Sequence, residues 1–123
     1  MATNVIPLRT HAAPSVTTRY RGERHGDADL VYCVDQYDNP LGDLPRDFLF
    51  ARNGEGFDWG PVSHAGALDL ARGLLQDATG DTVSTAEARA FERGVIVRLP
   101  CTWELEARDV MAWHTRYCTA RAS

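Results

Sequence analysis

The chain has 123 residues, 44% of them hydrophobic and 24% charged, with a formal net charge of −4 at neutral pH. That is the length of one domain and the composition of an ordinary globular protein, which excludes wholesale disorder. No apolar run approaches the roughly 20 residues that span a bilayer, so no membrane association is expected.

Residues 1–16 contain Pro7, Arg9, His11 and Pro14, which break any continuous apolar stretch or helix, and they are expected to form a disordered arm rather than a targeting peptide. The single domain is placed at residues 17–120. Its first predicted strand is Thr17 to Arg21, and its second runs from Leu30 to Val34. The turn-rich segment Gly22 to Asp29 joins them into a hairpin. Asp35 to Asp43 is rich in Asp, Asn, Pro and Gly and reads as a turn. A third strand is expected within Leu44–Arg52, around Phe48, Leu49 and Phe50, ended by Asn53-Gly54-Glu55-Gly56. Phe57-Asp58-Trp59 alternates, so Phe57 and Trp59 share one side as a short strand or a core wedge.

Ser63 is the expected N-cap of a first helix, with Ala67, Leu70, Ala71, Leu74, Leu75 and Ala78 on one stripe and Gly80 as its stop. Ser84-Thr85-Ala86-Glu87 reads as a capping box opening a second helix. That helix is expected to bury Ala88, Phe91, Val95 and Leu99 and to end at Pro100. Trp103-Glu104-Leu105 is a short strand. Glu106 to about Ala120 is a last helix, with Val110, Trp113, His114 and Tyr117 inward. The order β-β-β-α-α-β-α predicts an α+β fold: a small antiparallel sheet of three to four strands with about three helices on one face.

Cys33, Cys101 and Cys118 are odd in number and irregularly spaced, which speaks against a disulfide framework and for a reducing cytoplasm. All 13 basic residues are arginine, as expected of coding bias in a GC-rich genome. His11, His25, His64 and His114 offer no H-x-x-x-H pair. The acids lack the spacing of a calcium loop, and no glycine-rich nucleotide motif occurs. No catalytic set, metal or cofactor is therefore expected. His114 and Cys118 lie four apart on the last helix and, with Cys101 as the other candidate thiol, supply an alternative as a minimal Cys/His enzyme.

Residues 1–22 carry three arginines and no acid, whereas residues 23–58 carry nine acids against three arginines. An acidic body repels phosphate, so nucleic-acid binding is disfavoured, and that reading would rest on the basic arm and on Arg89 and Arg93. The acidic stretch points to a protein partner with a basic surface, contacted by Asp27, Asp29, Asp35, Tyr37, Asp38 and Asp43. Hydrated turns are the commoner role of such residues.

Tyr20-Arg21-Gly22, then Phe57-Asp58-Trp59-Gly60, the helix from Ser63 to Leu75, Phe91, Leu99-Pro100 and Trp103-Glu104-Leu105 together resemble a family of small domains of unknown function. That family occurs in bacterial genomes, plasmids and phages. Its typical feature is an aromatic-x-Trp-Gly motif followed by a glycine-rich turn and a Leu/Ala-rich helix, and here most of those turn glycines are absent. The resemblance covers residues 17–115 and implies a fold and a genomic setting but no activity. The resulting expectation is a non-enzymatic protein-binding module of a bacterium or mobile element, of which an anti-CRISPR-type inhibitor of a host defence complex is one form.

Overall fold

The structure is a computed structural model that describes residues 17–26, 28–46, 48–51, 56–61 and 65–122. The expected arm at residues 1–16 and the expected cap at Ser63 lie outside the described residues. Strands β1 (Arg19–His25), β2 (Ala28–Val34), β3 (Pro40–Asp43) and β4 (Trp103–Glu106) form one antiparallel sheet in the order β3-β2-β1-β4. Helices α1 (Ala65–Thr79), α2 (Thr85–Gly94) and α3 (Ala107–Ala122) complete an α+β fold in the predicted order.

The hairpin is longer and tighter than its composition suggests. Arg19 pairs with Val34 and His25 with Ala28, so most of the segment expected as a turn is strand. Cross-strand pairs of β-branched and aromatic residues with long polar ones outweigh the weak strand preference of single residues. Burial alternates along β1: Tyr20 and Gly22 face the helices, whereas Arg19, Arg21 and Glu23 are partly exposed on the other face.

The third strand is displaced from its expected place. The turn closes within Asp35–Asn39, where the Asp35 amide donates to the Asn39 carbonyl at 3.0 Å, and Pro40–Asp43 then pairs with β2 as an edge strand. Proline is tolerated there because the first residue of an edge strand has no obligatory ladder amide. Phe48 and Phe50 are not strand residues. They pack from a loop against the core, Phe48 meeting Phe57 edge-on at 4.9 Å between ring centroids. That loop is tied by Asp69, a buried carboxylate on α1 that accepts the amides of Leu49 at 2.7 Å, Phe50 at 3.0 Å and Ala51 at 2.6 Å.

Helix α1 is the hub of the core. Ala67, Leu70, Ala71, Leu74 and Leu75 are buried as the stripe predicts, and Gly66, Leu68 and Asp69 are buried besides, because the helix is enclosed by the sheet, by α2 and α3, and by the Phe57–Trp59 segment. Each fully buried leucine contributes about 1.5–3 kcal/mol relative to exposure. Tyr20 fixes the sheet to this helix, its buried hydroxyl donating to Asp77 at 2.7 Å. Burial and that carboxylate together raise the phenol far above its ordinary range. Gly80, at φ +78°, ends the helix as predicted, its amide bonding the Gln76 carbonyl at 2.8 Å.

Helix α2 stops sooner than expected. It ends at Gly94, and Ile96–Arg98 forms a 3₁₀ turn that buries Ile96 completely. The stripe inferred from a continuous helix therefore holds at Ala88 and Phe91, while Val95 and Leu99 pack at the margin. Glycine followed by three β-branched residues disfavours further helix, and the Gly60 amide captures the Ile96 carbonyl at 3.1 Å. Among the described residues of α3 only Val110 is fully enclosed; Trp113, His114 and Tyr117 are half-buried. Among the described residues no helix is long and apolar enough to cross a membrane.

Candidate functional site

Among the described residues the helices lie on one side of the sheet and leave its other face open, and β1 lines that face with Arg19, Arg21 and Glu23. Arg19 and Arg21 both reach Asp38 in the β2–β3 turn, at 2.6 and 2.7 Å, and Arg21 also pairs with Glu104 on β4. Tyr32 donates to Glu23 at 2.7 Å, and Glu23 meets His25 at 2.8 Å. This charge ladder runs from β4 across β1 to β2 and the β2–β3 turn. Its electrostatics follow: Arg21 and Arg19 hold the Asp38 carboxyl below the usual carboxylate range, and His25 and Tyr32 do the same for Glu23.

The β2–β3 turn is built by its own side chains. Asp35 accepts the amides of Tyr37 at 2.8 Å and Asn39 at 2.9 Å, which depresses its carboxyl as well. Asp38 adopts φ +70°, a left-handed conformation that disfavours a residue with a Cβ by about 1–2 kcal/mol and that its two arginine partners offset. The consequence is a braced turn whose outermost side chain, Tyr37, is 74% exposed. Leu41 on β3 is also exposed, at 43%.

The residues expected to meet a partner divide into two groups. Asp35, Tyr37, Asp38 and Asp43 gather at this turn and the adjoining edge strand, with Asp43 exposed opposite Tyr32. Asp29 lies near the far end of β2, about 20 Å away at strand rise, and is bound to Arg24 at 2.7 Å. Asp27 lies outside the described residues. The acids therefore do not make one continuous patch, and Asp29 and Asp38 are neutralised within the chain.

The aromatic-x-Trp-Gly segment serves the core. Phe57 and Trp59 are buried; Trp59 meets Trp103 edge-on at 5.6 Å, and the Arg24 guanidinium lies 4.4 Å above its ring. Arg24 also donates to the Trp59 carbonyl at 2.9 Å. Gly60 takes φ +106°, a conformation suited to glycine, and so presents its amide to Ile96. Phe57, Trp59 and Gly60 form no strand; they are the wedge that closes the core.

Ser84 caps α2 as predicted, accepting the Glu87 amide at 3.1 Å. The returning carboxylate of the capping box is engaged elsewhere. Glu87 is buried, and its Oε2 faces Nδ1 of His114 across the α2–α3 contact, an arrangement in which the ring N–H donates to the carboxylate. Cys118, one turn further along α3, places its Sγ 3.7 Å from Nε2 and 3.9 Å from Nδ1 of the same ring. The helical spacing of His114 and Cys118 indicated their proximity. Nothing in the sequence indicated Glu87, because 27 residues separate it from His114 and its local context assigns it to the cap. Arg89 and Arg93 are exposed on α2, and Cys101 is an exposed free thiol.

No curated protein and no solved structure matches the chain significantly. One family does match, over residues 20–116, and that span runs from β1 into α3 and takes in the sheet, the Trp59 wedge, the braced turn and the Glu87–His114 contact. The chain belongs to the family of unknown function DUF6166.

Proposed function

We propose that the chain is a non-enzymatic protein-binding module that docks through the β2–β3 turn, with Tyr37 as the anchor and Asp35 and Asp43 as an acidic rim facing a basic partner. One observation carries this reading: a large aromatic is held out in solvent on a turn that Asp35, Arg19 and Arg21 brace. A pre-ordered turn loses little freedom on binding, and a buried tyrosine is a frequent energetic centre of interfaces. The acidic rim speeds encounter with a basic surface. The setting is a bacterium or its mobile elements, in the cytoplasm, and inhibition of a host defence complex of the anti-CRISPR type is one specific form of this activity.

The test compares capture from bacterial lysate by tagged wild-type chain and by Tyr37→Ala, whose side chain makes little contact with the rest of the fold. A partner retained by the wild type and lost by the variant supports the reading; a partner that binds both equally removes Tyr37 from the interface. A minimal Cys/His enzyme is the weaker reading. Sγ of Cys118 is nearly equidistant from both ring nitrogens, so it lies beside the imidazole rather than on the Nε2 axis along which a thiol proton would be transferred.

A further inference from the structure

We propose that Glu87, His114 and Cys118 bind a divalent transition cation of the zinc class. The three donors are a carboxylate oxygen, an imidazole nitrogen and a thiol sulfur, and one atom of each lies within 4.8 Å of the others. They come from two packed helices, α2 and α3, so the fold rather than a flexible loop sets their spacing.

The distances fit such an ion. Zinc binds sulfur at about 2.3 Å, nitrogen at about 2.0–2.1 Å and oxygen at about 2.0–2.2 Å, so tetrahedral ligands stand about 3.3–3.6 Å apart. The nitrogen facing Glu87 is Nδ1, and Sγ of Cys118 stands 3.9 Å from it beside the ring, so the exposed Cys118 side chain turns toward the Nδ1 axis to complete the set. The Glu87–His114 contact is closer than two ligands of one ion stand, so the ion must part them and displace the hydrogen they share. Binding at Nδ1 therefore moves the ring proton to Nε2, leaving the imidazole neutral, and releases the thiol proton to solvent. One carboxylate and one thiolate then balance the two positive charges of the ion.

The donor set also discriminates. Magnesium and calcium require oxygen ligands, whereas a mixed sulfur, nitrogen and oxygen set suits zinc and its neighbours. Glu87 is buried, while Cys118 is exposed at the rim, so the site is open on the thiol side and has room there for a water as fourth ligand, as in three-ligand zinc sites. The site stands apart from the β2–β3 turn, and neither proposal depends on the other.

Cobalt(II) titration of the full chain, stripped with chelator and kept reduced, tests the assignment by absorbance. The expected result is a thiolate-to-cobalt charge-transfer band that saturates at one equivalent, is displaced by zinc and is unaffected by excess magnesium or calcium. Cys118→Ser, at an exposed position, removes the band, whereas Cys101→Ser leaves it intact. Glu87→Gln weakens apparent affinity about tenfold or more, with circular dichroism reporting whether that buried variant is folded. No band in the folded wild type overturns the proposal. So does a band that survives Cys118→Ser, or one that saturates at one ion per two chains.

Discussion

Replacing Gly22 with alanine sets two opposing effects against each other, and the structure decides between them. Glycine inside a regular element is unfavourable by about 0.5–1 kcal/mol relative to alanine, so backbone preference alone makes the change stabilising. A Cβ at this position, however, would stand 2.2 Å from Cε2 and 2.3 Å from Nε1 of Trp103, the residue paired with Gly22 across β1 and β4. Nonbonded carbons settle at about 3.5–4.0 Å, so the indole must retreat by about 1 Å or more. Trp103 is buried and packs edge-on against Trp59, which leaves it little room. Overpacking costs about 1–3 kcal/mol, and loss of the aromatic pair about 0.5–1.5 kcal/mol. The balance is a destabilisation of about 2 kcal/mol, or a fall in Tm of about 9 °C for a domain of this size. Thermal melts followed by circular dichroism measure it, and the double variant Gly22→Ala/Trp103→Leu checks the cause, since the clash has gone and the alanine should then be harmless. A Tm for Gly22→Ala at or above the wild-type value, or a full penalty persisting in the leucine background, refutes the reasoning.

Asp69→Asn replaces one of the two oxygens that hold the amides of Leu49, Phe50 and Ala51 with an amide donor facing donors. The expected loss in urea unfolding is about 2–4 kcal/mol, and a loss below about 0.5 kcal/mol contradicts a structural role for the loop anchor. Because Arg21 and Arg19 depress the folded-state value of Asp38, the stability this carboxylate contributes is fully present above the ordinary aspartate value of about 3.9. It is lost as pH falls through the depressed folded value. Melts of wild type and Asp38→Asn should therefore differ at neutral pH and converge in acid, and a gap that stays constant would show that the ion pairs do not stabilise the turn. Burial pushes the Cys33 thiol up to about 11, whereas Cys101 and Cys118 are exposed. A thiol reagent near neutral pH should modify Cys101 and Cys118 in the native chain and Cys33 only on denaturation; native-state labelling of Cys33 would mean that β2 opens locally.

Elements whose stability is local were legible in the sequence. The α1 stripe, the Ser84 cap and the Gly80 stop each follow from helical periodicity or from one hydrogen bond to a near neighbour. The elements that were misread depend on partners distant in sequence. β3 forms at Pro40–Asp43 because Asp35 has already closed the turn, and the Phe48–Phe50 loop owes its path to Asp69. Helix α2 ends at Gly94, before three β-branched residues, and the 3₁₀ turn that follows is held by the distant Gly60 amide on the Ile96 carbonyl. The site divides in the same way. Tyr37 and its acidic neighbours were visible as an exposed aromatic among turn residues, and His114 and Cys118 as a helical pair. Glu87 was assigned to its cap because a carboxylate three residues after a serine gives no sign that a histidine on another helix competes for it. Asp29 and Asp38 looked like free surface charge because the arginines that neutralise them reach across from β1.

The central claim is that Tyr37 on its braced turn is the point of contact with a protein partner. The most direct test is quantitative capture from bacterial lysate by wild-type chain and Tyr37→Ala side by side, with matching thermal melts to establish that both are folded. The account predicts a protein partner that is recovered with the wild type and lost, or depleted about tenfold or more as expected of an interface hot spot, with the variant. Equal recovery by the two chains, or no partner with either, contradicts it.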